Sequence, residues 1–403
     1  MWFRLSIIAV ALISGAILAP PTALASGNQA SDRDKQWVAD ASLRYLQERA
    51  DRLILGSARS NQRMTSVRLG WELDQRLSLE SARLDQRRVE YQNLTGGKRA
   101  AEVTLTDQHW RPGSADRIVL EATEHTKLWF AKVFPDSPTH EQFRLRHTFE
   151  FRRDAAGWTM VDTVPHLVSS LPPPTQFGRG PGGRSAGAEP GTARLKGVVR
   201  SSTDRTTADS PLRTVPGKFS ADAARRPAYD YGAMVAYAHR HAKTYNPNYR
   251  AYSDTDCTNF ISQIMEAGGW QYVGSTVFER DDPTKWFYGP FPWTTSYTWS
   301  AAHNWAYFAQ IHSRRTAGLE NVWLMDLADV LQVDWDHPHE DPNEPADNID
   351  HTMLVTGRAG VSGNPYATHL WMTYHSNDTV DRPLIEILKE NEDPANKWYA
   401  HRT

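Results

Sequence analysis

Residues 254–269 read DTDCTNFISQIMEAGG, and this stretch decides how the C-terminal half folds. A polar segment gives way at Cys257 to a pattern in which apolar residues recur three and four positions apart. These residues are Phe260, Ile261, Ile264 and Met265, and Gly268-Gly269 follows them. The pattern predicts a buried helix that begins at Cys257 and stops at the double glycine. Asp256 stands where a helix N-cap is expected.

Cys257 is the single cysteine among 403 residues. A helix N-terminus presents unpaired N–H groups and the positive end of the helix dipole, which favour thiolate over thiol. This position predicts a catalytic nucleophile with a lowered pKa. The alternative is a structural cysteine, because free cysteines are among the most buried residues.

The N-terminal residues 1–25 indicate the compartment. Arg4 is followed by an apolar stretch from Leu5 to Ala19, and Ala23-Leu24-Ala25 fits a signal-peptidase site. We therefore expect a mature chain that starts at Ser26, is secreted, and has no stable membrane insertion after signal cleavage. A secreted protein usually pairs its cysteines, so a solitary one needs a reason.

Composition limits the partners and the number of domains. The 403 residues include 40% hydrophobic and 23% charged residues, which is ordinary for a globular protein of roughly two domains. The formal net charge of −2 gives no basic field for nucleic acid. The oligomeric state is left open by the sequence.

The region 26–170 predicts a smaller N-terminal α+β domain. Amphipathic helical patterns span about 34–55 and 64–84, and alternating stretches follow at 100–110, 117–130, 143–154 and 157–167. Helices followed by strands predict a curved antiparallel sheet folded around a helix. No spacing in this domain points to a particular chemistry.

A change of composition predicts a flexible linker over 171–227, where Pro, Gly, Ser and Arg replace large apolar residues. The second domain then covers 228–403. It contains a helical pattern at 229–245, the Cys257 helix, a Trp-rich stretch, and strands at 327–335, 349–358 and 367–378. Helices followed by an antiparallel sheet again predict an α+β fold.

A cysteine nucleophile needs a nearby base. The best candidate is His351, which begins a predicted strand. A hairpin centred on Gly363 places His375 opposite His351, where it would orient the ring. A bulge in the hairpin would shift the register, so Asn377 and Asp378 remain alternative orienting residues.

These motifs resemble the bacterial family described as "Putative amidase domain", which is related to the papain-like cell-wall hydrolases of the NlpC and CHAP types. The resemblance covers about 229–388 and rests on DCTNF-SQ, IDHTMLVTG and YHSNDT. It implies a papain-like cysteine hydrolase fold with Cys257 as nucleophile, His351 as base and His375 as third member. Ala328-Asp329 departs from the Gly-Asp that related hydrolases show before the strand.

Together with the expected secretion, the resemblance implies an extracellular, cell-wall-associated amidase that hydrolyses amide bonds in peptidoglycan peptides or other cell-surface peptides and needs no cofactor. One alternative is an extracellular transferase that uses the same acyl-enzyme. The other is a non-catalytic wall-binding protein on a degenerate hydrolase scaffold. The helix N-terminus would let the backbone N–H of Cys257 stabilise the oxyanion.

Further polar and aromatic residues are candidates for substrate binding, namely Tyr252, Asn259, Trp299 and Asn377. A zinc site is an alternative for the acidic segment that runs from Asp336 to His351 and contains His337 and His339. Its prolines and the absence of an H-E-x-x-H motif favour a solvated loop, so no metal is predicted.

Overall fold

The computed structural model describes residues 30–56, 67–111, 113–114, 116–168, 171–178, 198–199, 229–252, 255–335, 349–360, 364, 367–393 and 396–403. Its helices are α1 (Asp32–Asp51), α2 (Trp71–Thr95), α3 (Tyr231–His241), α4 (Cys257–Ala267), α5 (Tyr297–Ser300), α6 (Ala302–Tyr307) and α7 (Leu384–Glu390). Short 3₁₀ turns span Val277–Glu279, Pro292–Thr294 and Val322–Leu324, and a π turn spans Phe308–His312.

The strands are β1 (Lys98–Arg111), β2 (Arg117–Phe130), β3 (His140–Asp154), β4 (Gly157–Pro165), β5 (Val198–Val199), β6 (Ala317–Gly318), β7 (Val330–Asp334), β8 (His351–Gly360), β9 (Ala367–Tyr374), β10 (Thr379–Pro383) and β11 (Lys397–Arg402). The predicted signal peptide lies outside the described residues. Within the described ranges, no helix has the length and apolar character needed to cross a membrane.

All the strands join in one antiparallel sheet that is curved and not closed. Its order is β1-β2-β3-β10-β9-β8-β7-β11-β5, with β4 paired to β3 and β6 paired to β11. The expected α+β class is therefore confirmed. The sequence did not indicate that one sheet runs through both halves, which meet where Thr379 and Val380 pair with Phe143 and Gln142.

The N-terminal half has the predicted order of two helices followed by strands, but the second predicted helix, at about 64–84, is displaced and α2 continues to Thr95. Strand β2 has the predicted bounds, and β3 and β4 form a hairpin in which Asp154 pairs with Gly157. Alternate residues of β2 and β3 are buried, as a sheet with one covered face requires. These residues pack against α1 and α2 and form the first hydrophobic core.

The C-terminal half has a separate core on each face of its sheet. Helices α3 and α4 and several tryptophans cover one face, which we call the helix face, and contribute Phe260, Ile264 and Trp299 to its core. Helix α7 and Leu171 cover the opposite face, where Met353, Val355, Met372 and Tyr374 are buried. Successive side chains of these strands therefore point alternately into the core on the helix face and into the core on the opposite face.

The predicted linker over 171–227 is only partly described. Leu171 is completely buried, and the following residues pack against α2, where Arg87 Nη1 donates to the carbonyl oxygen of Gln176 at 3.0 Å. The two residues of β5 pair with β11. The stretch 171–178 thus belongs to the folded protein, because its apolar residues and carbonyl groups find partners there.

Candidate functional site

Cys257 is the first residue of α4, as the sequence predicts. The helix ends where the double glycine begins, and Gly269 adopts a φ of 102°, which favours glycine. The Cys257 side chain is 7% exposed. Its sulfur lies 3.7 Å from Thr258 Oγ1 and also accepts hydrogen bonds from the backbone N–H groups of Thr352 and Thr258.

The expectation of a lowered Cys257 pKa is wrong for this arrangement. Burial raises the pKa of the thiol, and the Asp256 carboxylate adds to the rise. The hydrogen bonds from Thr258 and Thr352 act in the opposite direction but are outweighed by burial. The Cys257 thiol is therefore protonated near neutral pH, and it could act as a nucleophile only if a base removed its proton.

A chain of polar side chains connects Cys257 to the sheet. Thr258 Oγ1 lies 3.0 Å from Thr352 Oγ1, and Gln332 Nε2 donates to Thr352 Oγ1 at 3.1 Å and to the carbonyl oxygen of Ala302 at 2.9 Å. Sequence reasoning missed Thr352 and Gln332, because nothing in their local pattern distinguishes them from other strand residues. Only the packing of α4 on the sheet brings them to Cys257.

His351 begins β8 but is directed away from α4. Its ring stands edge-on to Tyr374, with centroids 5.1 Å apart, in the core on the opposite face of the sheet. The neighbouring residue Thr352 faces Thr258, and successive strand side chains point to opposite faces. Burial lowers the pKa of His351 to about 3, so the ring is neutral. Among the described residues Nε2 has no hydrogen-bond partner.

The predicted register of the β8–β9 hairpin is wrong by one residue. Leu354 pairs with Thr373 and Val355 with Met372, so the register brings Thr352, and not His351, opposite His375. Bulges interrupt β8 between Val355 and Gly357 and near Gly360. A one-residue shift moves every side chain to the other face. Gly357, a glycine inside a strand, was the available signal of a bulge.

His375 lies on the helix face but contacts Asp256 instead of His351. Its Nδ1 lies 2.5 Å from Asp256 Oδ2, and its Nε2 donates to the carbonyl oxygen of His241 at 3.0 Å. The ring is stacked on Phe260 at 3.8 Å and faces Tyr245 at 4.2 Å. Asp256 occupies the N-cap position without a side-chain capping hydrogen bond, because its carboxylate is used elsewhere.

The expected substrate-binding residues before and within α4 are engaged in the fold. Asn259 donates to Asp256 Oδ1 and accepts from Trp299 Nε1 at 2.8 Å. Trp299 is completely buried. The Tyr252 backbone N–H donates to Asp256 Oδ1 at 2.7 Å, and its hydroxyl accepts from Arg250 at 2.6 Å. These contacts shape the entry to α4.

Asn377 and Asp378, the alternative orienting residues, connect the two halves of the protein. Asn377 accepts from the Val168 N–H at 3.1 Å and donates to the Leu171 carbonyl oxygen at 2.8 Å. Asp378 accepts from Arg144 Nε at 2.8 Å. Within the part of the chain that the structure describes, neither Asn377 nor Asp378 forms a hydrogen bond with His351.

The structure offers no metal centre within the ranges it describes, since no three His, Cys, Asp or Glu side chains there could hold an ion. Most of the acidic segment considered for zinc, residues 336–348, lies outside the described residues. Asp350 accepts from the Trp335 backbone N–H at 2.7 Å.

Two curated proteins of Bacillus subtilis (strain 168) are similar to parts of this chain. Uncharacterized protein YjcM is 27% identical over 157 residues, which are 38% of this chain and 32% of that protein. Uncharacterized protein YhbB is 32% identical over 106 residues, which are 26% of this chain and 31% of that protein. The matched stretches thus span about a third of the length of these curated relatives.

Two solved structures show a short or loose likeness to parts of this chain. The Kfla4162 protein from Kribbella flavida is 25% identical over 21% of this chain and 52% of that one, with a TM-score of 0.17. The intermembrane space region of the chloroplast protein ARC6 is 12% identical over 32% of this chain and 94% of that one, with a TM-score of 0.21. Scores this low carry no argument about the fold.

The family comparison concerns the C-terminal half. Residues 228–399 match the model of the family described as "Putative amidase domain". These residues include Cys257, α4, both faces of the C-terminal sheet and the start of β8. The match therefore supports an amidase domain, a hydrolase of amide bonds, in the C-terminal half of this chain.

Proposed function

We propose that the C-terminal half hydrolyses amide bonds with Cys257 as the nucleophile. The observation that carries the proposal is the position of the solitary cysteine at the first residue of α4, inside the region that matches an amidase family. The first N–H groups of a helix have no partner within the helix, so the Cys257 N–H is suited to hold the oxyanion. A papain-like arrangement is part of this proposal.

The proposed base is His351, which must turn toward the helix face. Its neighbour Thr352 already donates its backbone N–H to the Cys257 sulfur, so the His351 backbone lies one residue from the thiol. Burial lowers the pKa of His351 to about 3, so the ring can take the thiol proton only after it leaves the core on the opposite face. The proposal therefore requires a rotation at the first residue of β8 that moves the ring from that core to the helix face. His375, held between Asp256 and His241, keeps its proposed role as third member by supporting α4.

The proposed reaction proceeds in two balanced stages. The thiol proton passes to His351 as the sulfur bonds to the amide carbon, and the C–N bond then breaks as the leaving amine takes that proton. Water next gives a proton to His351, its oxygen adds to the thioester, and the carbon–sulfur bond breaks. The thiol regains its proton, and a carboxylic acid leaves.

The proposed substrate is an amide within peptides of the bacterial cell wall, and the proposed site of action is outside the cytoplasm. Support comes from the signal-like sequence of residues 1–25 and from the resemblance of the motifs to wall hydrolases. No cofactor takes part in the proposed steps.

The test is mass spectrometry of peptidoglycan fragments incubated with the chain from Ser26 onward. New free amines should form with the wild-type protein and should vanish with Cys257→Ala, while Cys257→Ser and His351→Ala should retain about a thousandth or less of the rate. In heavy-oxygen water, hydrolysis places the label in the new carboxylate, whereas transfer to an amine does not.

Two results would overturn the proposal. Unchanged product formation by Cys257→Ala would exclude the Cys257 thiol as the nucleophile. Product without the heavy oxygen would show that the acyl group is transferred to an amine and not to water. Thr104→Ala, an exposed change on β1, is the matched control and should match the wild-type rate within about twofold.

A further inference from the structure

A cleft lies where the two halves of the protein meet. It has a volume of about 330 Å³. The N-terminal half contributes residues of β2 and β3 and the segment after β4, and the C-terminal half contributes residues around α3 and the turn before β10. The lining residues that matter here are Thr123, Arg144, Arg146, His166, Tyr245 and Asp378.

The charges around this boundary cleft leave one cation without a partner. Arg144 and Asp378 neutralise each other through a hydrogen bond of 2.8 Å, and Asp378 also accepts from the Tyr245 hydroxyl at 2.9 Å. Arg146 is exposed, and its guanidinium forms no ion pair with any described residue. Burial and the nearby Arg146 lower the pKa of His166, so this ring is neutral near pH 7. Among the charged side chains that line the cleft, Arg146 is therefore the cation that Asp378 does not neutralise.

The cleft is adjacent to the segment that carries Cys257. Ala251 lines it, and the next residue, Tyr252, donates its backbone N–H to Asp256, which precedes the cysteine. Tyr245 faces the ring of His375, which holds the other carboxylate oxygen of Asp256. A molecule in the cleft would thus contact the groups that shape the start of α4.

We propose that the boundary cleft binds a carboxylate, the acidic end of a peptide, through Arg146. A guanidinium presents paired N–H donors that match the two oxygens of a carboxylate. Thr123 and His166 provide neutral polar groups beside it. That the bound peptide is also the substrate rests on the proposed function, whereas carboxylate binding itself does not.

The experiment measures binding by isothermal titration calorimetry to the chain from Ser26 with Cys257→Ala, which removes turnover. The probes are acetyl-trialanine with a free C-terminal carboxylate, the same peptide as a C-terminal amide, and inorganic phosphate. The carboxylate peptide should bind, and Arg146→Gln should raise its Kd about tenfold. Arg146→Lys should give an intermediate Kd, because it keeps the charge and loses the paired donors. The matched control Arg99→Gln, an exposed arginine of β1, should leave the Kd unchanged.

Equal binding of the carboxylate and amide peptides would overturn the proposal, as would an unchanged Kd in Arg146→Gln. Binding of phosphate without binding of the carboxylate peptide would also overturn it. These outcomes can be told apart from a failure of the proposed function. If the protein cleaves amides but shows no preference for the carboxylate peptide, only the cleft proposal is overturned. Conversely, carboxylate binding by a protein that cleaves no amide leaves the cleft proposal standing and removes the amidase proposal.

Discussion

Ala328 adopts a backbone conformation that alanine avoids. Its φ is 67°, which lies in the left-handed region that favours glycine, and it stands directly before Asp329. The side chain is completely buried in the core of the helix face. Its backbone N–H donates to the Val355 carbonyl oxygen at 2.9 Å, so the turn is tied to β8. The methyl group compensates for the backbone strain by filling space in the core.

The substitution Ala328→Gly should leave the free energy of unfolding within about 1 kcal/mol of wild type. Glycine relieves about 1–2 kcal/mol of left-handed strain. It also loses about 0.8 kcal/mol of buried methyl and about 0.4–1 kcal/mol through a more flexible unfolded chain. Ala328→Val should destabilise by more than about 2 kcal/mol, because a β-branched residue at positive φ is strained and crowded.

Urea unfolding followed by circular dichroism measures both Ala328 variants against wild type. Equal stability of Ala328→Val and wild type would show that residue 328 does not hold the left-handed conformation. Ala359→Val, near the end of β8 where φ is not positive, is the control for the added volume.

At the level of elements, the Asp256–His375 pair fixes how α4 meets the sheet. Asp256 Oδ1 accepts from the Tyr252 backbone N–H and from Asn259 Nδ2. The two ring nitrogens of His375 face Asp256 Oδ2 and the carbonyl oxygen of His241. Both side chains are 1% exposed. The loop before Cys257, the helix and the end of β9 thus share one buried ion pair.

A double-mutant cycle should reveal this coupling. Asp256→Asn and His375→Gln should each lower the free energy of unfolding by about 3–5 kcal/mol, because each leaves a buried charge without its partner. The double variant should lose less than the sum of the two by at least about 1 kcal/mol. The measurement is urea unfolding at pH 7, with the exposed His109→Gln as control.

Additive losses in that cycle would contradict a direct Asp256–His375 interaction. A His375→Gln protein of wild-type stability but without amidase activity would instead favour a role for His375 in orienting the base, as the predicted register proposed. Stability and amidase activity together therefore show whether His375 supports α4 or orients His351.

At the level of the whole molecule, the two halves share buried charges as well as a sheet. Lys98 is completely buried, and its Nζ lies 2.9 Å from Glu386 Oε2 in α7 and 2.8 Å from Glu141 Oε1 in β3. Burial raises the pKa of Glu386 to about 7. Arg87 in α2 contacts Glu390 at 3.0 Å. Separation would expose these groups and leave the carboxylates without their cations.

The structure predicts that residues 229–403 do not fold alone, whereas the composition of 171–227 predicted two separable halves. Limited proteolysis should cut within the stretch 179–228, and the two fragments should then remain associated during gel filtration. A cooperative urea transition for 229–403 alone would contradict this expectation. Lys98→Met in the full chain should lower stability by about 3–5 kcal/mol, since Glu141 and Glu386 lose their shared cation.

The pattern of residues by itself determined the local elements. Helix α4 begins and ends at the predicted residues, because its apolar spacing and the double glycine are local signals. Strand β2 and the Asp154–Gly157 hairpin also have their predicted bounds, because alternation and a short turn specify them.

Only the tertiary structure decided which of these elements meet and which side chains share a face. The bulges in β8 displaced the hairpin by one residue, so Thr352, and not His351, faces Cys257. The pairing of β3 with β10 joined halves that the composition had divided. Strand register and sheet order depend on packing between residues far apart in the chain, and the period of a strand is the same in every register.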